Sequence, residues 1–239
     1  TLQSLPEPLR SQMLRGDFQA GASDPAWQLI PTAWVKAAQA RWVKKEIKGP
    51  MTAIGFDPAR GGADKSAAAR RHGQWFDELV SVPGAVTADG PTAAGFIVPL
   101  IRIGIGSSAL DFIKGLNLLV LPVVGSAMSG LSDKADQLRF RNKRAEMYWR
   151  LREALDPTLD DPIALPPDQE LLGDLCAARY KIVTMGDKAG IQIRDKDEIR
   201  EAIGRSPDKG DAVAMTFVSG IPLAGRQKTT NTKPPDWRL

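Results

Sequence analysis

Asp57 closes a short apolar stretch, Met51-Thr52-Ala53-Ile54-Gly55-Phe56, and is followed by Pro58 and the turn residues Gly61-Gly62. A carboxylate there stands where a strand delivers side chains to the rim of a sheet. Asp211 lies in Ser206-Pro207-Asp208-Lys209-Gly210-Asp211-Ala212-Val213-Ala214. Pro207 pre-sets a helix start, and Asp211 immediately precedes the apolar run of that helix. Hard divalent cations take oxygen ligands, and a phosphodiester-cleaving site gathers carboxylates from separate chain segments to hold them. By spacing alone either aspartate also fits a turn or a helix cap, so both readings stay open at this level.

Other chemistries are excluded by composition. One Cys (Cys176) and one His (His72) rule out a disulfide framework and any zinc site built from Cys and His. Cys176 is expected as a small buried hydrophobe. A Ser-His or Cys-His hydrolase would have to use His72, set among Arg70, Arg71 and Gly73. Gly61-Gly62-Ala63-Asp64-Lys65-Ser66 follows a strand and ends in Lys-Ser, as a phosphate-binding P-loop does. That loop requires glycine immediately before the lysine; Asp64 stands there and would repel a phosphate. No ATPase is expected in this chain.

The 239 residues are 43% hydrophobic and 25% charged, which excludes wholesale disorder. Basic residues number 32 against 28 acidic ones, a formal charge of +4, and the pI is near 9.2. That balance permits a polyanionic partner without demanding one. Residues 93–131 are the most apolar region, but Arg102, Asp111 and Lys114 interrupt it, short of the roughly 18 apolar residues a membrane span needs. The opening Thr1-Leu2-Gln3-Ser4-Leu5-Pro6 has no basic leader, so an intracellular protein is expected, and without an initiator Met an excised fragment.

The elements that must position the two aspartates read as follows. Residues 1–50 form a linker segment, in which Trp34, Ala37, Ala38 and Trp42 recur at helical spacing. The body, 51–225, opens with a meander of three strands over 51–56, 66–71 and 74–80, turning at Gly61-Gly62 and His72-Gly73. Gly90-Pro91 begins a helix to about Val98. A short helix is expected over 107–116 and a buried strand over 118–124. The longest helix is read over 138–155: Phe140, Met147, Leu151 and Leu155 share a face, and Arg139, Arg141, Lys143, Arg144, Arg150 and Arg152 supply much of the rest. That basic face is either solvated or a contact for phosphates. A helix over 169–178, a hairpin over 181–193 and helices around Ile199 and Ala214 complete the body. The polar, Pro-rich tail 226–239 is expected to be mobile. Alternating strands and helices indicate an α/β fold with a mixed sheet.

Taken in order, several segments resemble the nuclease domain of tailed-phage terminase large subunits: Asp57-Pro58-Ala59-Arg60-Gly61-Gly62-Ala63-Asp64, Trp75-Phe76-Asp77, Pro83-Gly84 and Thr87-Ala88-Asp89-Gly90-Pro91. Gly104-Ile105-Gly106-Ser107-Ser108, Asn142-Lys143-Arg144-Ala145-Glu146 and the run from Ile199-Arg200 to Asp211-Ala212 continue the match. Leu5-Pro6-Glu7-Pro8-Leu9-Arg10 and Ile30-Pro31-Thr32-Ala33-Trp34-Val35 resemble the segment joining that domain to the family's motor ATPase, absent from this chain. The resemblance implies a ribonuclease-H-like mixed sheet flanked by helices, cutting concatemeric double-stranded DNA at the start and end of genome packaging. It implies two divalent cations, Mg2+ or Mn2+, and places the first metal-binding aspartate at Asp57 and the last at Asp211.

The family's middle carboxylate does not carry over. It falls on Ile101, three positions before Gly104, and the stretch from Ala93 to Gly104 is short for both a helix and the following strand. Either the strand and its carboxylate are lost or residues are missing from the sequence there; Asp64 and Asp111 are the substitutes. Arg60, Lys65, Arg139, Arg141, Lys143 and Arg144 are candidates for phosphate contacts. By resemblance the partners are double-stranded DNA, the terminase small subunit and the portal of the procapsid, with no membrane, in the cytoplasm of an infected bacterium. Two alternatives remain at this level: a cleavage-deficient DNA-binding or assembly module, and a resolvase-type nuclease on the same fold.

Overall fold

A computed structural model describes residues 24–44, 49–102, 122–186 and 188–219. Helix α1 (Thr32–Ala40) comes first, then an antiparallel sheet built on β2 (Lys65–His72). One edge of β2 pairs with β1 (Ala53–Asp57), with Asp57 opposite Ala67. The other edge carries β3 (Trp75–Phe76) and β4 (Val80–Pro83) end to end. The expected third strand over 74–80 is therefore two strands: Asp77 to Leu79 leave the ladder between them. Asp77 instead pairs with Arg70, and its N–H donates to the Arg70 carbonyl at 3.0 Å.

A turn of 3-10 helix (Gly84–Thr87) leads into α2 (Gly90–Arg102), started by the Asp89 carboxylate accepting from Thr92 N–H at 2.9 Å. This helix runs further than the sequence indicated and includes Pro99 and Ile101. In the sequence only Ile103 lies between the end of this helix and Gly104. The helix over 107–116, Asp111, most of the strand over 118–124 and the tail 226–239 lie outside the described residues; Val123 and Val124 are in no strand.

The basic helix begins later than its apolar pattern suggested. Arg139 and Phe140 form β5 (Arg139–Phe140), parallel to β7 (Lys188–Ile193), which in turn pairs antiparallel with β6 (Tyr180–Met185). Helix α3 (Lys143–Ala154) starts only after Asn142, whose side chain accepts from Ala145 N–H and caps it. Arg139 and Arg141 thus sit outside the helix. Helix α4 (Gln169–Ala177) is capped in the same way by Asp168.

Two further helices follow, α5 (Lys196–Ile203), closed by Gly204 in the left-handed conformation at φ 72°, and α6 (Asp208–Met215). Phe76, Phe140, Tyr148, Leu151, Leu171, Leu175 and Ile191 are fully buried in one core, which Leu29, Ile30, Val35 and Ala38 of the N-terminal stretch also join. The tryptophans act as packing anchors: Trp42 stacks on Trp75 and donates to the Phe76 carbonyl at 2.7 Å, and Arg152 lies over Trp34 and Trp149. Among the described residues no helix is long and apolar enough to cross a membrane.

Candidate functional site

Helix α6 lies directly across β1 and β2. The approach is closest at Gly55, where any Cβ would run into the Ala212 carbonyl. Side chains alternate along a strand, so Gly55 and Asp57 share a face. The bare glycine lets the helix backbone down onto the strand, and the carboxylates two residues beyond it on β1 and one residue before Ala212 on α6 come together at the strand's end. Gly210, on the same helix, faces α4 so tightly that a Cβ would stand 2.8 Å from that of Asp174. The fully buried Asp174 carboxylate accepts from Gly210 N–H at 3.0 Å and pairs with Arg205. The helix is thus held on two sides, one residue from Asp211.

Asp57 and Asp211 meet around one ammonium. Lys196 Nζ, from the first residue of α5, is 2.9 Å from Asp211 Oδ2 and 3.4 Å from Asp57 Oδ2. Four residues on, Arg200 pairs with Asp64 in the turn after β1, so one face of α5 closes against the site. On the opposite side α3 supplies two residues spaced one turn apart. Tyr148 Oη donates to Asp211 Oδ1 at 2.7 Å, and the Arg144 guanidinium lies 3.1 Å from the same oxygen. Asp208, one turn before Asp211, is buried and accepts Lys65 N–H at 3.0 Å, tying the start of α6 to the start of β2.

The electrostatics follow from burial. Removal from water raises the Asp57 carboxyl to about 6, with the nearby charges of Asp211 and Asp208 adding to the effect and Lys196 opposing it. Burial also raises Asp174 to about 6, with Gly210 N–H and Arg205 in part offsetting it. Burial works against the Lys196 ammonium, yet Asp211 and Asp57 outweigh it and raise its pKa. Complete burial holds the Tyr148 phenol well above its ordinary value, so it remains a hydrogen-bond donor. A buried carboxylate, Asp211, and a half-buried one, Asp57, converging on a cation form a site able to bind a hard metal ion or a basic group.

No protein-family model matches the sequence, and no curated protein matches it. Solved structures do match. The nuclease domain of the large terminase subunit of bacterial virus Sf6, in a lysine-to-alanine mutant with manganese and beta-thujaplicinol, superposes with a TM-score of 0.54. Identity is 19%, over 79% of this chain and 97% of that one. The same mutant with calcium gives a TM-score of 0.53 at 20% identity, over 79% and 98% of the two chains. Another structure of that Sf6 domain gives 0.52 at 18%, over 79% and 97%. This chain has the fold of a terminase nuclease domain. The ribonuclease-H-like α/β architecture expected from the sequence is the one observed.

Within this terminase-nuclease fold the remaining candidates are dispersed. Ile101 sits in α2, not at the end of a central strand, and Asp64 is engaged by Arg200. Among the described residues no group of three or more His, Cys, Asp or Glu is placed to hold a metal ion. Arg60 is exposed just past Asp57, in the left-handed conformation at φ 50°. Lys65 reaches Glu170 at 3.0 Å, and Arg139 and Arg141 are exposed. Lys143 and Arg144 turn inward: Lys143 bonds the buried Glu146 at 2.8 Å and Arg144 bonds Asp211. Lys196 and Tyr148 are the site residues that sequence reasoning missed. His72 is buried in β2, its Nδ1 3.2 Å from the Gly49 carbonyl, at the end of the strand away from the aspartates. A cavity of about 780 Å3 opens at the other end of β1, beside Ala53, Arg71, Glu153 and Phe217, and includes neither aspartate.

Proposed function

We propose that this chain is the metal-dependent endonuclease domain of a viral DNA-packaging terminase large subunit, cutting concatemeric double-stranded DNA when packaging begins and ends. The observation that carries the reading is the convergence of Asp57 and Asp211 on a single cation, in the fold of the Sf6 nuclease domain. The donor set fits a hard divalent ion. Two carboxylates from different elements already share one positive charge, and magnesium commonly takes one or two carboxylates and completes its shell with water and substrate phosphate. Asp57 and Asp211 would hold Mg2+ or Mn2+, two ions in the proposed complex. Bound there, such ions supply Lewis-acid stabilisation of charge on the scissile phosphate and activation of the attacking water.

The protein's own contribution is positioning. Tyr148 and Arg144 fix the Asp211 carboxylate, Gly55 sets the distance from α6 to β1, and the Asp174–Gly210 hydrogen bond holds the helix against α4. Arg60, beside the site and exposed, is proposed as a contact to the DNA backbone, with Lys65, Arg139 and Arg141 extending it. In this reading residues 51–225 form the nuclease, 1–50 join it to a motor ATPase, and 226–239 form a tail. The partners are then the terminase small subunit and the procapsid portal, in the cytoplasm of the infected host. A second reading, a module that binds DNA without cutting it, is favoured by the lack of a third metal-ligating side chain among the described residues.

Nicking of supercoiled plasmid in manganese separates the two. The parent protein is expected to cut and Asp211→Asn to lose cutting while keeping salt-sensitive DNA binding. Parent-level cutting by Asp211→Asn would refute the assignment. Duplex binding by a parent that never cuts would establish the second reading.

A further inference from the structure

The cavity of about 780 Å3 at the far end of β1 is lined by Arg71, next to last in β2. The Arg71 guanidinium lies over the Phe217 ring, 4.1 Å from its centroid, and is clamped there by neutral acceptors. Nε donates to the Gly73 carbonyl at 2.7 Å, and the terminal nitrogens donate to Gln74 Oε1 at 3.2 Å and the Thr216 carbonyl at 3.4 Å. A guanidinium has N–H donors beyond those these acceptors take. Other inward-turned arginines are paired with carboxylates: Arg70 with Asp77, Arg144 with Asp211 and Arg205 with Asp174. Among the described residues Arg71 has no such partner, and burial alone pushes its pKa down to about 10. Two more cations line the cavity. Arg150, on α3, meets Glu146 only at 3.9 Å, and that carboxylate already accepts from Lys143, Ser129 and Ser219. Lys134 is exposed. Glu153 is the one carboxylate among the described lining residues, and its Oε1 accepts Lys134 N–H at 3.1 Å. Three cations against one acid leave an excess of two positive charges around a cavity of small-molecule size.

We propose that this cavity binds the dianionic phosphate of a phosphomonoester, with Arg71 and Arg150 as its principal contacts. At neutral pH such a phosphate carries a charge of about −1.5 to −2, which matches the excess. Planar guanidinium groups suit its oxygens, and Arg71, already fixed on Phe217, loses little freedom in engaging it. A free nucleotide and the terminal phosphate of a DNA strand share this chemistry. The sequence after Ser219 is net basic, with Arg226, Lys228, Lys233 and Arg238 against Asp236, which argues against the chain's own tail as the occupant. The proposal is independent of metal binding, since neither Asp57 nor Asp211 lines the cavity.

The test is calorimetric titration in chelator, which removes any phosphate binding bridged by metal at the aspartates. The probes are deoxyadenosine monophosphate, deoxyadenosine, succinate, and a short single-stranded oligonucleotide with and without a terminal phosphate. The parent is expected to bind the monophosphate saturably and the nucleoside not at all. Arg150→Gln, at a part-exposed position, should lose about tenfold in affinity, the worth of one charge-assisted hydrogen bond, and Arg71→Gln should lose more. Glu153→Gln should bind more tightly than the parent, and Lys181→Gln, exposed on β6, should match it. If Arg71→Gln does not fold, Arg150→Gln and Glu153→Gln carry the comparison, because they shift affinity in opposite directions. Oligonucleotide binding that improves with the terminal phosphate, and loses that gain in Arg150→Gln, assigns the DNA end as the source. Monophosphate binding without that improvement assigns a free nucleotide. Succinate binding as tightly as the monophosphate overturns the phosphate assignment. A parent that binds neither phosphate probe, or affinities that Arg150→Gln and Glu153→Gln leave unchanged, overturn the site.

Discussion

Replacing Asp57 by Asn removes one carboxylate from a site where burial and two neighbouring acids disfavour its charge. Its pKa rises from 3.8 to about 6, and its side chain is 19% exposed, so solvent screens the effect little. About two units at 1.36 kcal/mol each correspond to roughly 3 kcal/mol by which the ionised folded state is penalised. The sign follows from the direction. Below about pH 4 folded and unfolded chains both carry the proton and the penalty vanishes; between about 4 and 6 it grows, and above 6 it is complete. Asp57→Asn is therefore expected to melt above the parent at pH 8 in chelator, by roughly 5–10 °C for a chain of this size, and to match it near pH 4. Asp174 shifts in the same direction but is common to both proteins and cancels. Millimolar Mn2+ should reverse the order at pH 8, because an ion that binds only the native state stabilises the parent by mass action and the variant has lost a ligand. Thermal melts at pH 4, 6 and 8, with chelator and with Mn2+, read all of this. A variant that melts at or below the parent at pH 8 in chelator refutes the electrostatic account, and one that gains as much from Mn2+ as the parent removes Asp57 from the metal site.

Two structural predictions follow from the contacts around Asp211. Gly55→Ala drives a methyl into the Ala212 carbonyl and must lift α6 from β1, costing about 1–3 kcal/mol of stability and more than tenfold in cleavage. Melting and plasmid nicking check it, and parent-level nicking would show that this spacing does not align the aspartates. Tyr148→Phe removes the hydrogen bond to Asp211 Oδ1 while preserving the ring, and should cost about 1.5–3 kcal/mol in urea denaturation at neutral pH. An unchanged midpoint would mean that Arg144 alone satisfies that oxygen.

Both aspartates were legible as chemistry-bearing positions because each follows from local pattern: a carboxylate at the end of an apolar strand, and one in the first turn of a helix begun by proline. What joins them was not legible. The contact of Gly55 with Ala212 spans more than half of the chain, and a glycine inside a strand signals close backbone approach without saying to what. Arg144 and Tyr148 stand one helical turn apart, so their shared face could have been read, but a basic helix gives no sign of which arginines turn inward. Lys196, between Asp195 and Asp197, looks like an ordinary solvated helix start until α5 is placed over the sheet edge. The late start of α3 has the same origin: Phe140 continues the apolar periodicity of the helix and is recruited into a strand only because Ile191, on a hairpin distant in sequence, pairs with it.

The unequal exposure of the groups around Asp211 has a mechanistic consequence. A site of two like charges needs a positive partner at every stage, or its own repulsion opens it. Arg144, carried on the first turn of α3, is the more buried one and bonds the oxygen shared with Tyr148. Lys196, on the first turn of α5, is the more exposed one, with 32% of its side chain in water. With both cations in place, Asp57 and Asp211 are held together by the fold itself, so in the proposed metal-binding reading the cost of assembling them would be met during folding. The same division explains why Asp57 retains a raised pKa beside an ammonium. Lys196 is held more closely by Asp211, at 2.9 Å against 3.4 Å, so the first aspartate of the pair is left the less compensated and gains most from a second positive charge.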